Sequence, residues 1–282
     1  MTIKRIMLVR HTRRHSAQLA ASKAQKDLQQ RGYTVVDTTS TEPVDLVLAM
    51  GGDGTILSAA TKARQFDVPL LGLNMGHLGF LAEDSTAAPA DLIDHIASGC
   101  YRVDTRMTLA VTLQRPDGAI VHDWALNEAV LMHTDVAHPI QLNLAVDGQD
   151  VSTYGADGMI LATPTGSTAY SFSAGGPVVW PDTEAIVMAP LAAHGLFTRP
   201  MVVGPSSKLG VTVLDAGRSD AQVWCDGLRM MTVPTGSTVV ATVSERPVRL
   251  VRLDDTPFST RLVHKFHLPL QGWKGAHQGD EQ

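Results

Sequence analysis

The pentapeptide Gly-Gly-Asp-Gly-Thr at residues 51–55 joins two contrasting segments of the chain. The run before it, residues 44–50, is apolar and strand-like, whereas the segment after it places Leu57, Ala60 and Ala63 at helical spacing. Glycines can adopt positive φ and lack side chains, so backbone N–H groups can approach an anion closely, and a helix start adds its positive dipole end. The pattern therefore predicts a strand, a phosphate-binding turn and a helix.

The spacing of this turn excludes two better-known phosphate loops. No Lys-Ser/Thr pair follows its last glycine, as a Walker loop requires, and its glycines do not have the spacing of the dinucleotide fingerprint. Asp53 would repel phosphate unless a divalent cation bridges the two or the carboxylate faces an acceptor hydroxyl. The motif therefore indicates phosphoryl transfer. Alternatively, Asp53 only forms an Asx turn or caps the helix.

Two later stretches carry polar side chains of the kind that bind a nucleotide. Asn127-Glu128 interrupts an apolar run, and an amide beside a carboxylate suits a ribose diol, although a strand end or hairpin would also explain the pair. The predicted strand 157–162 leads into a hydroxyl-rich turn, residues 163–168, at a helix start that favours anions. Tyr170 follows, where its ring could cover a purine. Alternatively, the hydroxyls form an elaborate N-cap and Tyr170 lies in the core.

The first hundred residues predict the framework that positions the glycine turn. The apolar runs are residues 3–9, 33–36, 44–50 and 68–74, and the helical patterns are residues 17–28, 53–66 and 89–98. Such alternation is typical of a doubly wound parallel α/β sheet, in which ligands bind at the carboxyl ends of the strands. The basic turn His11–Arg14 and the loop Met75–Leu81 lie at such ends. Both are candidate ligand contacts, with His77 as a possible base, or ordinary surface segments.

The apolar spacing that is typical of helices is nearly absent from the sequence after residue 100. Alternating apolar runs follow, and turns of hairpin type separate them at residues 116–118, 147–148 and 226–227. We therefore predict three parts: an α/β domain at residues 1–100 with the glycine turn, a mostly β domain at residues 101–252, and a C-terminal segment at residues 253–282.

Composition narrows the class of protein. A chain of 282 residues with 44% hydrophobic and 18% charged residues predicts a globular fold with an ample core. A formal net charge of −5 without a dense Lys/Arg stripe argues against a nucleic-acid partner. Cys100 and Cys225 lack metal-ligand spacing, and neither a signal sequence nor an apolar run of membrane-spanning length is evident. We therefore expect a cytoplasmic protein with no membrane partner.

Together the motifs resemble those of the NAD kinase family. The stretches that carry the resemblance, in the family's order, are residues 51–55, 76–81, 127–128, 154–158 and 163–170. The glycine turn alone is shared with diacylglycerol-type lipid kinases, whereas the Thr-Pro-Thr stretch together with Asn127-Glu128 is much more specific to NAD kinases. The chain departs from the family late in the β region. Asp226-Gly227 is followed by Leu228 where many members have glutamine, so Asp226 is left out of the predicted site.

The resemblance implies transfer of the terminal phosphate of ATP, or of inorganic polyphosphate, to the adenosine ribose 2′-hydroxyl of NAD, giving NADP. It implies that Asp53 takes the proton of this hydroxyl. The donor-phosphate pocket would be shaped by Gly52, Gly54 and Thr55. NAD would be held by Phe80, Asn127, Glu128, Thr168, Ala169, Tyr170 and Ser173.

The resemblance also implies partners and an assembly. A divalent cation such as Mg²⁺ would arrive with the nucleotide, in keeping with the lack of a carboxylate cluster in the sequence. The family position matching Asp157 reaches the nicotinamide of a neighbouring subunit, which implies a homo-oligomer, usually a tetramer built as a dimer of dimers. Residues 257–274 resemble a closing segment that returns to the first domain. Two other functions remain open: a lipid kinase of the diacylglycerol kinase type and a non-catalytic NAD(P)-sensing module.

Overall fold

The chain folds into two units, residues 1–104 with 249–282 and residues 105–248. The structure is a computed structural model that describes residues 3–11, 15–74, 79–83, 87–134, 138–216 and 220–270. The first unit alternates strands and helices and the second is mostly β, which confirms the predicted fold class. Thr12–Arg14 and Met75–Leu78, including the candidate base His77, lie outside the described residues.

Strands and helices are numbered along the chain. The elements up to residue 106 are β1 (Arg5–Arg10), α1 (His15–Gln30), β2 (Thr34–Val36), β3 (Leu46–Met50), α2 (Asp53–Phe66), β4 (Leu70–Leu73), α3 (Pro89–Ala97) and β5 (Arg102–Arg106). The elements from there to residue 173 are β6 (Leu109–Gln114), β7 (Ile120–Ala125), β8 (Glu128–Met132), β9 (Ile140–Val146), β10 (Gln149–Ala156), β11 (Gly158–Ala162), a 3-10 helix (Gly166–Thr168) and α4 (Tyr170–Ser173). The remaining elements are β12 (Ile186–Leu191), β13 (Met201–Val203), β14 (Leu209–Asp215), β15 (Ala221–Cys225), β16 (Arg229–Val233), β17 (Thr238–Val243), β18 (Val248–Arg252) and α5 (Phe258–Phe266).

The first unit is built on a six-stranded sheet with the order β2-β1-β3-β4-β18-β5. Strand β1 pairs in parallel with both β2 and β3, and β3 pairs in parallel with β4. Helix α1 leads from β1 to β2, whereas α2 leads from β3 towards the opposite edge. The connections therefore diverge between β1 and β3, and the glycine turn follows β3 at this point, where open α/β sheets place their ligands.

Strand β18 lies in this first sheet, although the sequence analysis placed residues up to 252 in the second domain. Leu250 pairs in parallel with Leu70 of β4, and Leu250, Val251 and Arg252 are all buried. A short apolar strand fits either kind of sheet by its pattern alone, so only the tertiary pairing decides which sheet it joins.

The second unit contains two six-stranded sheets, with the orders β10-β9-β14-β17-β6-β7 and β13-β12-β11-β8-β15-β16. Side chains of both sheets share one buried cluster, which includes Val111 and Leu142 from the first and Met159 and Val223 from the second. Asp226 and Gly227 have φ of 54° and 64°. Positive φ at both central positions is the type I′ geometry that matches strand twist, so β15 and β16 form the predicted hairpin.

Both Cys100 and Cys225 are free thiols, the first exposed and the second buried. Within the described residues, no helix has both the length and the apolar character that crossing a membrane requires.

Candidate functional site

The glycine turn positions Asp53 at the first residue of α2. Gly52 is the N-cap, with φ −83° and ψ −175°, and positive φ occurs at none of Gly51, Gly52 and Gly54. The three glycines therefore do not use the positive φ that glycine allows. A Cβ on Gly51 would lie 2.3 Å from Thr55 Oγ1, whereas the space beside Gly52 and Gly54 is open. The turn thus has bare, accessible backbone where an anion can approach the start of α2.

The Asp53 carboxylate points away from its own helix. No side chain caps the start of α2, and Asp53 Oδ1 instead accepts the backbone N–H of Leu81 at 3.4 Å. A Cβ on Gly79 would lie 2.1 Å from the same oxygen, so the missing side chain at residue 79 makes room for the carboxylate. The helix-cap alternative does not describe this aspartate. Its half-buried side chain is held against residues 79–81.

Phe80 lies in the same segment but is not an open platform for a base. It is 6% exposed, and its ring centroid lies 5.5 Å from that of Phe258 and 5.9 Å from that of Phe266. Both partners belong to α5, so the ring is committed to an aromatic cluster of the first unit. Its effect on the site is to hold the residues next to Asp53.

Asn127 and Glu128 lie at the start of β8, where Asp226 of the β15–β16 turn fixes their backbone. Asp226 Oδ2 accepts the N–H of Leu126 at 2.9 Å and Oδ1 accepts the N–H of Asn127 at 2.7 Å. The backbone N–H of Asp226 donates to the Glu128 carbonyl at 2.9 Å. Arg229 Nη2 lies 3.4 Å from Asp226 Oδ2. Asp226 is thus a supporting residue that the sequence did not indicate, because the residues around it depart from the family motif.

Glu128 is a buried carboxyl group that lacks one partner. It is 8% exposed, and its Oε2 atom has no hydrogen-bond partner among the described residues. Burial raises the pKa of Glu128 to about 8, the negative charge of Asp226 adds to this, and the backbone N–H of Tyr170 opposes it. The carboxyl group is therefore mostly protonated at neutral pH. A buried polar atom without a partner is costly, and a strand end does not explain one.

The hydroxyl-rich turn packs directly on this dipeptide. Thr163 Oγ1 donates to the Leu126 carbonyl at 2.6 Å and accepts the N–H of Gly166 at 3.0 Å. A Cβ on Gly166 would lie 2.0 Å from the Asn127 carbonyl oxygen, so only glycine allows this approach. Ser167 Oγ is likewise used internally, donating to Pro164 at 2.7 Å. The hydroxyls of Thr163 and Ser167 therefore serve the structure of the turn, because their hydrogen bonds are made within the protein.

Two side chains that follow this turn are open to solvent. Tyr170 is 42% exposed, and Ser173 is also exposed, so the alternative that buries Tyr170 in the core is wrong. Thr168 and Ala169 are half-buried beside them. Because the Tyr170 N–H is hydrogen-bonded to the Glu128 carboxyl, an accessible ring lies close to a buried acid. An aromatic face beside an acid suits a nucleoside, which offers a flat base and ribose hydroxyls.

Asp157 lies far from this part of the unit. It follows β10 and precedes Gly158, which pairs with Met132, whereas Glu128 pairs with Ala162 at the other end of β11. Four residues of strand separate the two ends by about 14 Å. The Asp157 side chain is 57% exposed, with His133 Nε2 3.6 Å from Oδ1. The structure therefore does not bring Asp157 to Glu128.

Most of the chain matches models of a known protein family and the sequences of named relatives. Residues 1–101 match the family model described as the ATP-NAD kinase N-terminal domain, and residues 126–253 match the ATP-NAD kinase C-terminal domain. A protein of Nocardia farcinica named NAD kinase is 47% identical over 231 residues, which are 82% of this chain and 71% of that protein.

Two solved structures are similar. A crystal structure of an NAD kinase from Archaeoglobus fulgidus in complex with ATP gives a TM-score of 0.70 at 28% identity, covering 89% of this chain and 94% of that one. A crystal structure of yeast NADH kinase complexed with NADH gives a TM-score of 0.86, covering 96% of this chain and 89% of that one. The identity to the yeast protein is 21%, so this second likeness concerns the fold.

Proposed function

The chain belongs to the NAD kinase family, and from this membership we infer its reaction and the role of each residue described above. It is an NAD⁺ kinase, a phosphotransferase with an alcohol acceptor. The terminal phosphate of ATP is transferred to the 2′-hydroxyl of the adenosine ribose of NAD, and the product is NADP. The observation that carries the residue assignment is the Asp53 carboxylate, which is held off the start of α2 beside open glycine backbone.

In this proposal Asp53 orients the acceptor hydroxyl and takes its proton. The transition state of phosphoryl transfer is loose and needs in-line positioning and charge stabilisation more than a strong base. The positioning and the charge stabilisation come from Gly52, Gly54 and Thr55 at the start of α2. There, backbone N–H groups and the helix dipole favour the donor phosphates. A carboxylate beside the donor phosphates would repel them. Its presence is explained because it removes the proton of the acceptor hydroxyl.

The second unit supplies contacts to NAD in the same proposal. Glu128 and Asn127 hold ribose and adenine groups, and a ribose hydroxyl gives the partnerless oxygen of Glu128 the hydrogen bond it lacks. The exposed Tyr170 ring covers a base. Thr168, Ala169 and Ser173 surround it, while Phe80 in the first unit acts by packing.

The phosphate donor is a nucleotide that carries a divalent cation such as Mg²⁺. Within the described ranges, no group of three His, Cys, Asp or Glu side chains could hold a metal ion, so the phosphates would supply much of its coordination. The ion would neutralise charge on the transferred phosphate. Inorganic polyphosphate offers the same phosphate chemistry without a nucleoside, and we propose it as a second donor.

We further propose that the protein is a homo-oligomer, a dimer or a dimer of dimers, that acts in the cytoplasm. Asp157 is exposed and distant from Glu128, which fits a contact with the nicotinamide bound to a neighbouring subunit. The loop after β12 lies against β10, since Gly155 and His194 form a β-bridge. Leu196 and Phe197 of this loop are exposed apolar side chains. They give the surface next to Asp157 the apolar character of an interface.

The experiment that tests the function measures NADP formed from NAD with MgATP or with magnesium polyphosphate, and compares wild type with Asp53→Asn. We expect turnover in the variant to fall by about 10²-fold or more, the scale of general-base catalysis, with NAD affinity nearly unchanged by calorimetry. Turnover at the wild-type level in Asp53→Asn would refute the assignment. NAD binding without any NADP would support a sensing module, and phosphorylation of diacylglycerol would support a lipid kinase.

A further inference from the structure

Two buried arginines hold the segment that lies against Asp53. Arg252, the last residue of β18, donates from Nη2 to the Phe80 carbonyl at 3.2 Å and from Nη1 to the Leu81 carbonyl at 3.3 Å. Arg261 of α5 donates from Nη1 to the Ala82 carbonyl at 2.6 Å. Three successive carbonyl oxygens of one segment are thus bound by guanidinium groups from the C-terminal part of the chain.

Glu83 joins the two arginines at the end of this segment. Its Oε1 atom accepts Arg252 Nη1 at 2.7 Å and Arg261 Nη2 at 2.9 Å, and its Oε2 atom accepts the N–H of Leu253 at 3.0 Å. The side chains of Glu83, Arg252 and Arg261 are 2%, 4% and 6% exposed. We call these three residues the arginine cluster. Buried ion pairs often add little net stability over apolar residues of the same volume, so stability alone explains this cluster poorly.

A single peptide group connects the cluster to Asp53. The carbonyl of Phe80 and the N–H of Leu81 belong to the same peptide unit, and a trans peptide directs these two groups to opposite sides. Arg252 binds the carbonyl and Asp53 Oδ1 accepts the N–H at 3.4 Å. The guanidinium therefore fixes the orientation of the donor that Asp53 contacts. Gly79, against which the carboxylate packs, is the residue immediately before this unit.

We propose that Arg252 and Arg261 are positioning residues that set the orientation of the Asp53 carboxylate through residues 79–82. This inference rests on the proposed function, which makes Asp53 the residue that contacts the acceptor hydroxyl. It gives a role to the C-terminal segment, because Arg261 lies on α5, and α5 follows the last residue matched by the family models, residue 253. Helix α5 also supplies the two aromatic rings that pack on Phe80.

The test compares Arg252→Lys with Arg249→Lys. Lysine keeps the charge but not the planar fork that reaches two carbonyls and the carboxylates of Glu83 and Asp104. Arg249 is the matched control, since it lies on the same strand but is paired with Asp67 at the surface. We expect Arg252→Lys to lower kcat by about 10- to 100-fold, the scale of a misplaced catalytic group, with KM for NAD within about twofold of wild type. Arg261→Lys shows a smaller loss, and Arg249→Lys keeps the kcat of wild type.

A double variant separates positioning from stability. Glu83→Gln combined with Arg252→Met removes one charge of each sign, and Arg261 keeps the carboxylate of Asp254, at 3.7 Å, as its remaining charged partner. We expect its thermal midpoint to recover relative to Arg252→Met alone while kcat stays low. Recovery of kcat together with stability would overturn the inference, as would wild-type kcat in Arg252→Lys. Asp53→Asn is measured in parallel. If it loses turnover while Arg252→Lys does not, only this inference fails, whereas turnover that survives Asp53→Asn overturns the proposed function as well.

Discussion

Asp226 Oδ1 accepts the backbone N–H of Asn127 at 2.7 Å, across 99 residues of sequence. The other carboxylate oxygen accepts the N–H of Leu126, so both oxygens are used on consecutive peptide groups. Burial raises the pKa of Asp226, and these two N–H groups and Arg229 favour the charged form. The start of β8, which carries the proposed NAD contacts, is thus fixed by a charged group from another hairpin.

We expect Asp226→Asn to weaken NAD binding and to destabilise the protein. An amide has one acceptor oxygen, so its NH₂ group would face one of the two backbone N–H donors, and a buried donor without a partner costs about 1–3 kcal/mol. Urea unfolding and NAD titration would measure both effects. Asp147→Asn is the control, because Asp147 occupies a similar positive-φ turn at an exposed site. Equal stability of the two variants would contradict the role of Asp226.

The raised pKa of Glu128 predicts a pH-dependent stability. The pKa of this carboxyl group is about 8 in the folded protein against a reference value of 4.5. Between these values the unfolded chain has released the proton and the folded protein keeps it, so rising pH favours unfolding. The contribution of Glu128 is full below the reference value and is lost as the pH rises through about 8.

We therefore expect Glu128→Gln, which carries no titrating group there, to lose less stability than wild type between about pH 5 and pH 9. Urea unfolding at several pH values would measure the difference between the two proteins. Titrating groups that do not interact with Glu128 are common to both proteins and cancel in this comparison. Parallel curves for wild type and variant would show that Glu128 does not titrate in this window.

Much of the fold follows from local patterns, because the alternation of strands and helices and the Asp-Gly turns are encoded over short distances. The glycine turn and the strand before it were predictable for the same reason. The position of β18 was not, since a buried strand of a few residues does not specify its partner. Pairing across the first sheet was decided by tertiary contacts such as Leu250 with Leu70.

The hydrogen bonds that support the site could not be predicted from the sequence either. The bond between Asp226 and Asn127 and those of Arg252 with Phe80 and Leu81 join residues far apart in the chain, and no spacing rule predicts them. The resemblance to the family implied a contact between Phe80 and NAD, whereas the structure packs its ring against two aromatic rings of α5. Hydroxyl groups at a helix start are predicted equally well as ligands or as structural groups, and those of Thr163 and Ser167 make hydrogen bonds within the turn.

Tyr170→Ala should weaken NAD binding with little change in turnover at saturation. The ring is exposed beside the buried Glu128, and stacking of a base on an aromatic side chain contributes about 1–3 kcal/mol. Calorimetric titration with NAD would measure this loss. Phe172→Ala is the matched control, because this ring is exposed to a similar extent two residues later. An NAD affinity in Tyr170→Ala equal to that of the control would remove Tyr170 from the proposed pocket.

Gly79→Ala tests whether the position of the Asp53 carboxylate matters for turnover. The new Cβ would lie 2.1 Å from Asp53 Oδ1, so either the carboxylate or the segment must move. A displacement of about 1 Å can cost on the order of 10²-fold in rate, and we expect a loss of that size in kcat with NAD affinity unchanged. Gly204→Ala, where the space around the glycine is open, should keep the kcat of wild type. Because both variants add one methyl group, a kcat in Gly79→Ala equal to that of Gly204→Ala would mean that Asp53 tolerates displacement, which a base aligned with its acceptor does not.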